Sequence, residues 1–158
     1  MPVEIERKFL VTGDAWRSGN PPSQRFCQGY LAEGQGVTVR IRRAGHKAYI
    51  TVKGKASGPA RPEFEYEIPV EEAETLLKEF CRRPLIEKTR HEVVHAGHLW
   101  QVDEFGADNA GLVVAEVELN HPDEPVELPP WVGEEVTLDP RYSNAALAAS
   151  PMRLARRS

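Results

Sequence analysis

The stretch Val3-Glu4-Ile5-Glu6-Arg7-Lys8-Phe9-Leu10 places Glu4, Glu6 and Lys8 at every second position. In an extended strand that period turns all three side chains to one face and leaves Ile5, Arg7 and Phe9 on the other, with Arg7 as a charge on the apolar parity. One such strand is ordinarily the solvated side of a sheet, because carboxylates and an ammonium are costly to bury without partners. The layout recurs, however, along the chain. Thr38-Val39-Arg40-Ile41-Arg42 sets Arg40 and Arg42 against Val39 and Ile41, and Tyr49-Ile50-Thr51-Val52-Lys53 sets Lys53 against Ile50 and Val52. Glu63, Glu65 and Glu67 alternate with Phe64, Tyr66 and Ile68; Asp103 opposes Trp100 and Val102; Glu116 and Glu118 oppose Ala115, Val117 and Leu119. The charged faces are also sorted by sign. Arg40, Arg42, Lys53, Lys88 and Arg90 are cationic, whereas Glu4, Glu6, Glu63, Glu65, Asp103, Glu116 and Glu118 are anionic. Solubilising faces mix the signs more evenly. If the sheet closes on itself, the charged faces line a lumen and the apolar faces need cover from outside.

The ordered series Glu4-x-Glu6-x-Lys8, Arg40-x-Arg42, Lys53, Arg61-x-Glu63-x-Glu65, Lys88-x-Arg90, Asp103 and Glu116-x-Glu118 resembles the CYTH family of triphosphate tunnel metalloenzymes. Trp131-Val132-Gly133-Glu134-Glu135-Val136-Thr137, followed by Arg141-Tyr142-Ser143-Asn144, is similar to the short bacterial members. The resemblance runs from Val3 to about Leu147. It implies an α+β fold: an eight-stranded antiparallel β-barrel, or tunnel, with a charged lumen and helices packed outside.

Length and composition fit that frame. The chain has 158 residues, 41% hydrophobic and 28% charged, the profile of one domain with a sizeable core. We expect residues 1–150 to form it, with 151–158 as a basic, disordered tail. No apolar run approaches the roughly 20 residues of a membrane span, and no export signal is visible, so a cytoplasmic protein without a membrane partner is expected. Cys27 and Cys81 lack metal-ligand spacing and read as packing residues in a reducing compartment. A net charge of -4 argues against nucleic acid as a partner.

Between the strands, Thr12 is expected to cap a short helix through Trp16, ended by Pro21-Pro22. Ala73, Leu76, Leu77 and Phe80 recur at helical spacing between Glu71 and Arg82, an apolar stripe able to cover the barrel. Glu71, Glu72 and Glu74 complement the start of that helix. Ser143 is the expected N-cap of a last helix through Ala149, stopped by Pro151. Trp16, Trp100 and Trp131 read as packing residues, and His91, His95 and His98 as a solvated strand edge and turn.

Carboxylates crowded into one lumen cannot all ionise without a cation, and an oxygen-only donor set suits Mg²⁺ or Mn²⁺. The cationic strands in turn suit a polyanion such as a triphosphate. The resemblance places metal binding on Glu4, Glu6, Glu116 and Glu118, with Asp103 and Glu63 or Glu65 helping to hold a second ion or the water. It makes Lys8, Arg40, Arg42, Lys53, Lys88 and Arg90 the phosphate cradle. Tyr30 is the neutral participant that orients Lys88 or the terminal phosphate, or else a barrel aromatic. Arg141 closes one mouth, or else caps the last helix from the surface. The implied activity is metal-dependent hydrolysis of inorganic tripolyphosphate to pyrophosphate and phosphate, with Lys8, Tyr30, Lys88, Glu63 and Glu65 closest to the chemistry. Thiamine triphosphatase, nucleoside triphosphatase and class IV adenylyl cyclase stay open within the fold. A non-catalytic polyphosphate-binding module and an open sheet with a solvated face stay open outside it. The resemblance also allows a homodimer paired through outer surfaces.

Overall fold

The computed structural model describes residues 2–152. Its strands are β1 Val3–Val11, β2 Ser23–Gly34, β3 Val37–Ala44, β4 Lys47–Lys53, β5 Ala60–Ile68, β6 Ile86–His95, β7 His98–Phe105, β8 Val113–Glu118 and β9 Val132–Glu135. The hydrogen-bonded order β5-β4-β3-β2-β6-β7-β8-β1 closes where β1 returns to β5, giving the antiparallel eight-stranded barrel. Closure is brief, since β1 meets β5 only over Val3, Glu4 and Ile5. Beyond that point β1 outruns β5, and β9 takes the exposed edge at Phe9 and Val11. This additional strand lies in the Trp131–Thr137 run and outside the eight of the ring.

Alternation along the strands separates two environments. Ile41 and Ala48 face outward and are covered by α1 Val70–Thr75 and the π turn Leu76–Phe80 that continues it, through Ala73, Leu77 and Cys81. The Leu77 side chain alone is worth about 1.5–3 kcal/mol when withdrawn from water. The π turn corrects the expected stripe. Cys81 N–H donates to Leu76 O at 2.9 Å, five residues back, and this wider turn swings Phe80 out to 63% exposure while Cys81 takes the core position. Glu74 pairs with Arg43 rather than serving the helix start. On the opposite flank Phe9, Trp100, Val102, Ala115 and Val117 face outward under Trp16 and Trp131. Trp100 lies 5.6 Å from the Phe9 ring and 5.8 Å from Trp131, so the tryptophans are packing residues. Trp16 sits on a single 3-10 turn, Ala15–Arg17, that Thr12 does not cap; Thr12 Oγ1 instead donates to Trp131 O at 3.1 Å and ties β1 to β9.

One end of the barrel is plugged. Past Lys8, Lys88, Asp103 and Glu116, the inward parity continues to Leu10, Ile86, Phe105 and Val114, which pack on Leu147 of α2 Asn144–Ala149. Ser143 caps α2 as expected, its Oγ accepting from Ala146 N–H at 3.1 Å. Asn109 pins the helix from below, donating to Leu147 O at 3.2 Å and accepting from Met152 N–H at 2.8 Å. The expected basic tail from Arg153 onward lies outside the described residues.

Candidate active site in the tunnel

Six strands of the ring, β1, β3, β4, β5, β6 and β8, send charged side chains to the lumen, and β7 sends Gln101. Glu4, Glu6, Lys8, Arg40, Arg42, Lys53, Arg61, Glu63, Lys88, Arg90, Glu116 and Glu118 line one cavity, together with Tyr30 from β2 and Ser143 to Ala145 from the plug. The closeness follows from register: Lys8 pairs with Glu116, Glu6 with Glu118 and Lys53 with Glu63 across adjacent strands.

The inner end is organised by a buried anion. Asp103 accepts from Lys88 Nζ at 2.7 Å and from Arg90 Nε and Nη2 at 2.7 and 2.8 Å. Burial by itself raises a carboxyl pKa, but Lys88 and Arg90 outweigh it and hold Asp103 below its ordinary value. Burial likewise lowers Lys88, to about 7, against the pull of Asp103. Arg90 goes the other way: burial opposes its charge, yet Asp103 and Glu116 raise it. Glu116 sits 3.6 Å from Lys8 Nζ and 3.8 Å from Arg90 Nη2. These cations overcome its burial and hold it well below the carboxylate range.

Carboxyls collect towards the open end. Glu4 accepts from Lys53 Nζ at 2.9 Å, which keeps it ionised despite burial. Glu6 has no such partner. Burial, then Glu116 and Glu4, raise it to about 8. Burial and Glu4 raise Glu63 to about 7. Glu6 shares a hydrogen bond with Glu116, and Glu63 with Glu4, so protons hold together carboxyls that would otherwise repel. Arg40 donates from Nη2 to Thr51 Oγ1 at 3.2 Å, while its buried Nε has no acceptor among the described residues.

A model of the CYTH domain matches residues 2–146. The chain belongs to the CYTH domain family. Among relatives of the CYTH chain, an inorganic triphosphatase of Acetivibrio thermocellus is 45% identical over 151 residues, covering 96% of each chain. An inorganic triphosphatase of Nitrosomonas europaea is 37% identical over 152 residues, covering 94% of this chain and 98% of the relative. A solved crystal structure of an inorganic triphosphatase superposes with a TM-score of 0.70 at 35% identity, over 95% of this chain and 97% of the other.

Not all the residues expected to act in this CYTH lumen reach it. Arg141 is a surface residue, its side chain 70% exposed and held by Asp139 at 2.7 Å, and it is not among the residues that line the lumen. Glu65 is exposed beyond the lining, accepting from Thr51 Oγ1 at 2.9 Å with Arg40 at 3.5 Å. Asp103 lies behind Lys88 and Arg90 with both oxygens engaged, the geometry of an anchoring counter-ion rather than a free metal ligand. Tyr30 is buried in the lining, but Lys88 is aimed by Asp103 and by Asn144 Oδ1 at 2.8 Å, not by the Tyr30 hydroxyl. His91, His95 and His98 disperse to Glu104, Glu127 and Glu124 and converge on nothing.

Neutral residues complete the site. Gln28 and Thr51 are fully buried on the inward parity of Tyr30 and Lys53, a signal that a search for charges misses. Gln101 and Thr38 join the lining on the parity of Asp103 and Arg40. Asn144 carries no strand parity, since only the fold of α2 across the barrel end brings it in.

Proposed function

We propose that this chain hydrolyses inorganic tripolyphosphate to pyrophosphate and phosphate inside the barrel, the activity named for the relatives it resembles. The observation that carries the reading is the charge partition of one enclosed lumen, with Lys8, Arg40, Arg42, Lys53, Lys88 and Arg90 facing Glu4, Glu6, Glu63, Glu116 and Glu118. Cations this far withdrawn from solvent suit a polyanion far better than any neutral ligand. Apart from Tyr30 and Ala145, the described lining of the lumen is polar or charged, while Ala56, Pro59, Leu138 and Pro140 lie at an adjoining pocket that shares Glu4, Glu6 and Lys8. The inorganic substrate is the one that the lumen itself suits, and ATP and thiamine triphosphate are tested beside it.

The donor chemistry fits a divalent metal. Oxygen-only side chains suit Mg²⁺ or Mn²⁺, and the proton-sharing pairs Glu6 with Glu116 and Glu4 with Glu63 mark where a cation would replace protons. Among the described residues no group of three acidic, His or Cys side chains already stands at metal-holding distance, because Glu4 is drawn to Lys53 and Glu116 to Lys8 and Arg90. Phosphate oxygens arriving on those cations would release the carboxylates. Glu4, Glu6, Glu116 and Glu118 would hold the ion, with Glu63 assisting a second ion or the water. Bound there, the metal supplies charge neutralisation to the phosphates and acidifies water.

The chain's own groups do the rest. Arg40 offers its unpaired Nε to a phosphate oxygen, and Lys53 and Arg42 hold the chain of phosphates in line. Water oxygen bonds to the terminal phosphorus as the bridging P–O bond breaks; the electron pair leaves with pyrophosphate, one water proton stays on the product phosphate and the other passes to the leaving pyrophosphate or to solvent. Lys88, Arg90 and Lys8 stabilise the charge that grows there. We further place the protein in the cytoplasm, which suits its free Cys27 and Cys81, as a single domain over 1–150. No helix among the described residues is long and apolar enough to cross a membrane.

The test is phosphate release from tripolyphosphate, ATP and thiamine triphosphate in parallel, each with Mg²⁺, Mn²⁺ or EDTA. Metal-dependent release favouring tripolyphosphate is expected. Thermal stabilisation by tripolyphosphate without turnover under any ion would replace the enzyme with a binding module.

A further inference from the structure

A hydrogen-bond chain whose direction is forced by its ends joins the cations at the inner end of the lumen. Arginine only donates, so Arg42 Nε, 2.8 Å from Gln28 Oε1, fixes the Gln28 amide with its nitrogen turned away. That nitrogen donates to Asn144 Oδ1 at 2.9 Å, and Lys88 Nζ donates to the same oxygen at 2.8 Å. Asn144 must therefore present its carbonyl oxygen to both. Lys88 spends a second N–H on Asp103 at 2.7 Å. Lys88 Nζ also stands 5.5 Å from the Phe105 ring and 5.9 Å from the Phe26 ring, and it lines the lumen within reach of a ligand there. Gln28 is 0% and Lys88 2% exposed, so neither can exchange a lost acceptor for bulk water. Gln28, Arg42, Lys88 and Asp103 all stand on the barrel wall. Asn144 alone belongs to the plug, as the first residue of α2 behind the Ser143 cap.

We propose that Asn144 is a positioning residue that aims Lys88 directly, and Arg42 through Gln28, at the phosphate chain. The plug helix thereby sets the geometry of the reaction as well as closing the barrel. The inference rests on the triphosphatase reading.

Asn144→Ala removes the shared acceptor and leaves Lys88 tethered only by Asp103. A displacement of an ångström in a positioned group costs up to about 10²-fold in rate, so kcat for tripolyphosphate should fall about 10- to 100-fold. KM should move by less than about threefold, because most of the cradle is untouched. Asn144→Asp restores an acceptor to both donors and should recover most of kcat, while its added negative charge raises KM. Leu77→Ala, beneath the outer helix and remote from the lumen, is the control for destabilisation alone: a lower Tm with kcat kept. Asn144→Ala matching Leu77→Ala, with Tm lowered and kcat intact, would overturn the inference, as would Asn144→Asp no faster than Asn144→Ala. Either result with an active wild type leaves the triphosphatase reading standing. A wild type that releases no phosphate from tripolyphosphate under Mg²⁺ or Mn²⁺ would sink that reading and this inference with it.

Discussion

Glu6→Gln should make the metal-free protein more stable while impairing its response to metal. In the folded chain, burial and the charges of Glu116 and Glu4 hold the Glu6 pKa at about 8, against 4.5 for an unhindered carboxyl. A group whose pKa is raised by folding contributes stability that is complete below its unfolded value and is lost as pH rises through its folded value. Here the loss begins near pH 4.5 and is complete a little above pH 8. Each pH unit across that window is worth about 1.4 kcal/mol, an upper bound of about 4–5 kcal/mol; relaxation around the site leaves about 2–4 kcal/mol. Glutamine does not ionise, and its amide can donate to Glu116. The variant should therefore exceed wild type by less than about 1 kcal/mol at pH 5 and by about 2–4 kcal/mol at pH 8.5, the latter about 5–15 °C in Tm for a chain of this size. Thermal melts in EDTA at the two pH values read this directly. Adding Mg²⁺ at pH 8.5 should then raise the wild-type Tm more than that of Glu6→Gln. A variant no more stable than wild type at pH 8.5, or an advantage that does not change with pH, would refute the crowded-carboxyl account.

Other perturbations separate the roles of the lumen. Glu116→Gln removes the charge shared by Lys8 and Arg90 at similar volume, so metal-dependent turnover should fall about 10²-fold or more while far-UV circular dichroism stays native; wild-type kinetics would count against the lumen assignment. Arg40→Ala should raise KM for tripolyphosphate about tenfold with a smaller change in kcat, by steady-state assay, since one charge-assisted phosphate contact is lost. Leu147→Ala opens a cavity under the plug and should cost about 2–4 kcal/mol in urea unfolding. A change below about 0.5 kcal/mol would mean that the plug is loosely seated.

Strand alternation made much of this molecule legible. Glu4, Glu6 and Lys8, or Arg40 and Arg42, declare a shared face through spacing alone, and the apolar parity of Ile41 or Val117 declares what must be covered. What alternation cannot express is contact between distant segments. Asp103 shares the parity of Gln101 and reads as another lumen carboxylate, yet register with Arg90 makes it the counter-ion at the inner end. Arg141 follows a motif but turns to Asp139, two residues away, where local hydrogen bonding is cheaper than reaching the lumen. Phe80 obeys a 3.6-residue stripe that the π turn breaks. Gln28 and Asn144 carry no charge, so only the folded arrangement shows that Lys88 and Arg42 depend on them.

The central claim, that the lumen cleaves a terminal phosphoanhydride of tripolyphosphate with a divalent metal, is tested most directly by following ³¹P NMR spectra of tripolyphosphate with the wild-type protein. With Mg²⁺ or Mn²⁺ removed by EDTA before each spectrum, tripolyphosphate signals should give way to pyrophosphate and phosphate in equal molar amounts, and should persist when EDTA is present from the start. Unchanged tripolyphosphate in the presence of both metals, or cleavage that proceeds equally in EDTA, would contradict the account.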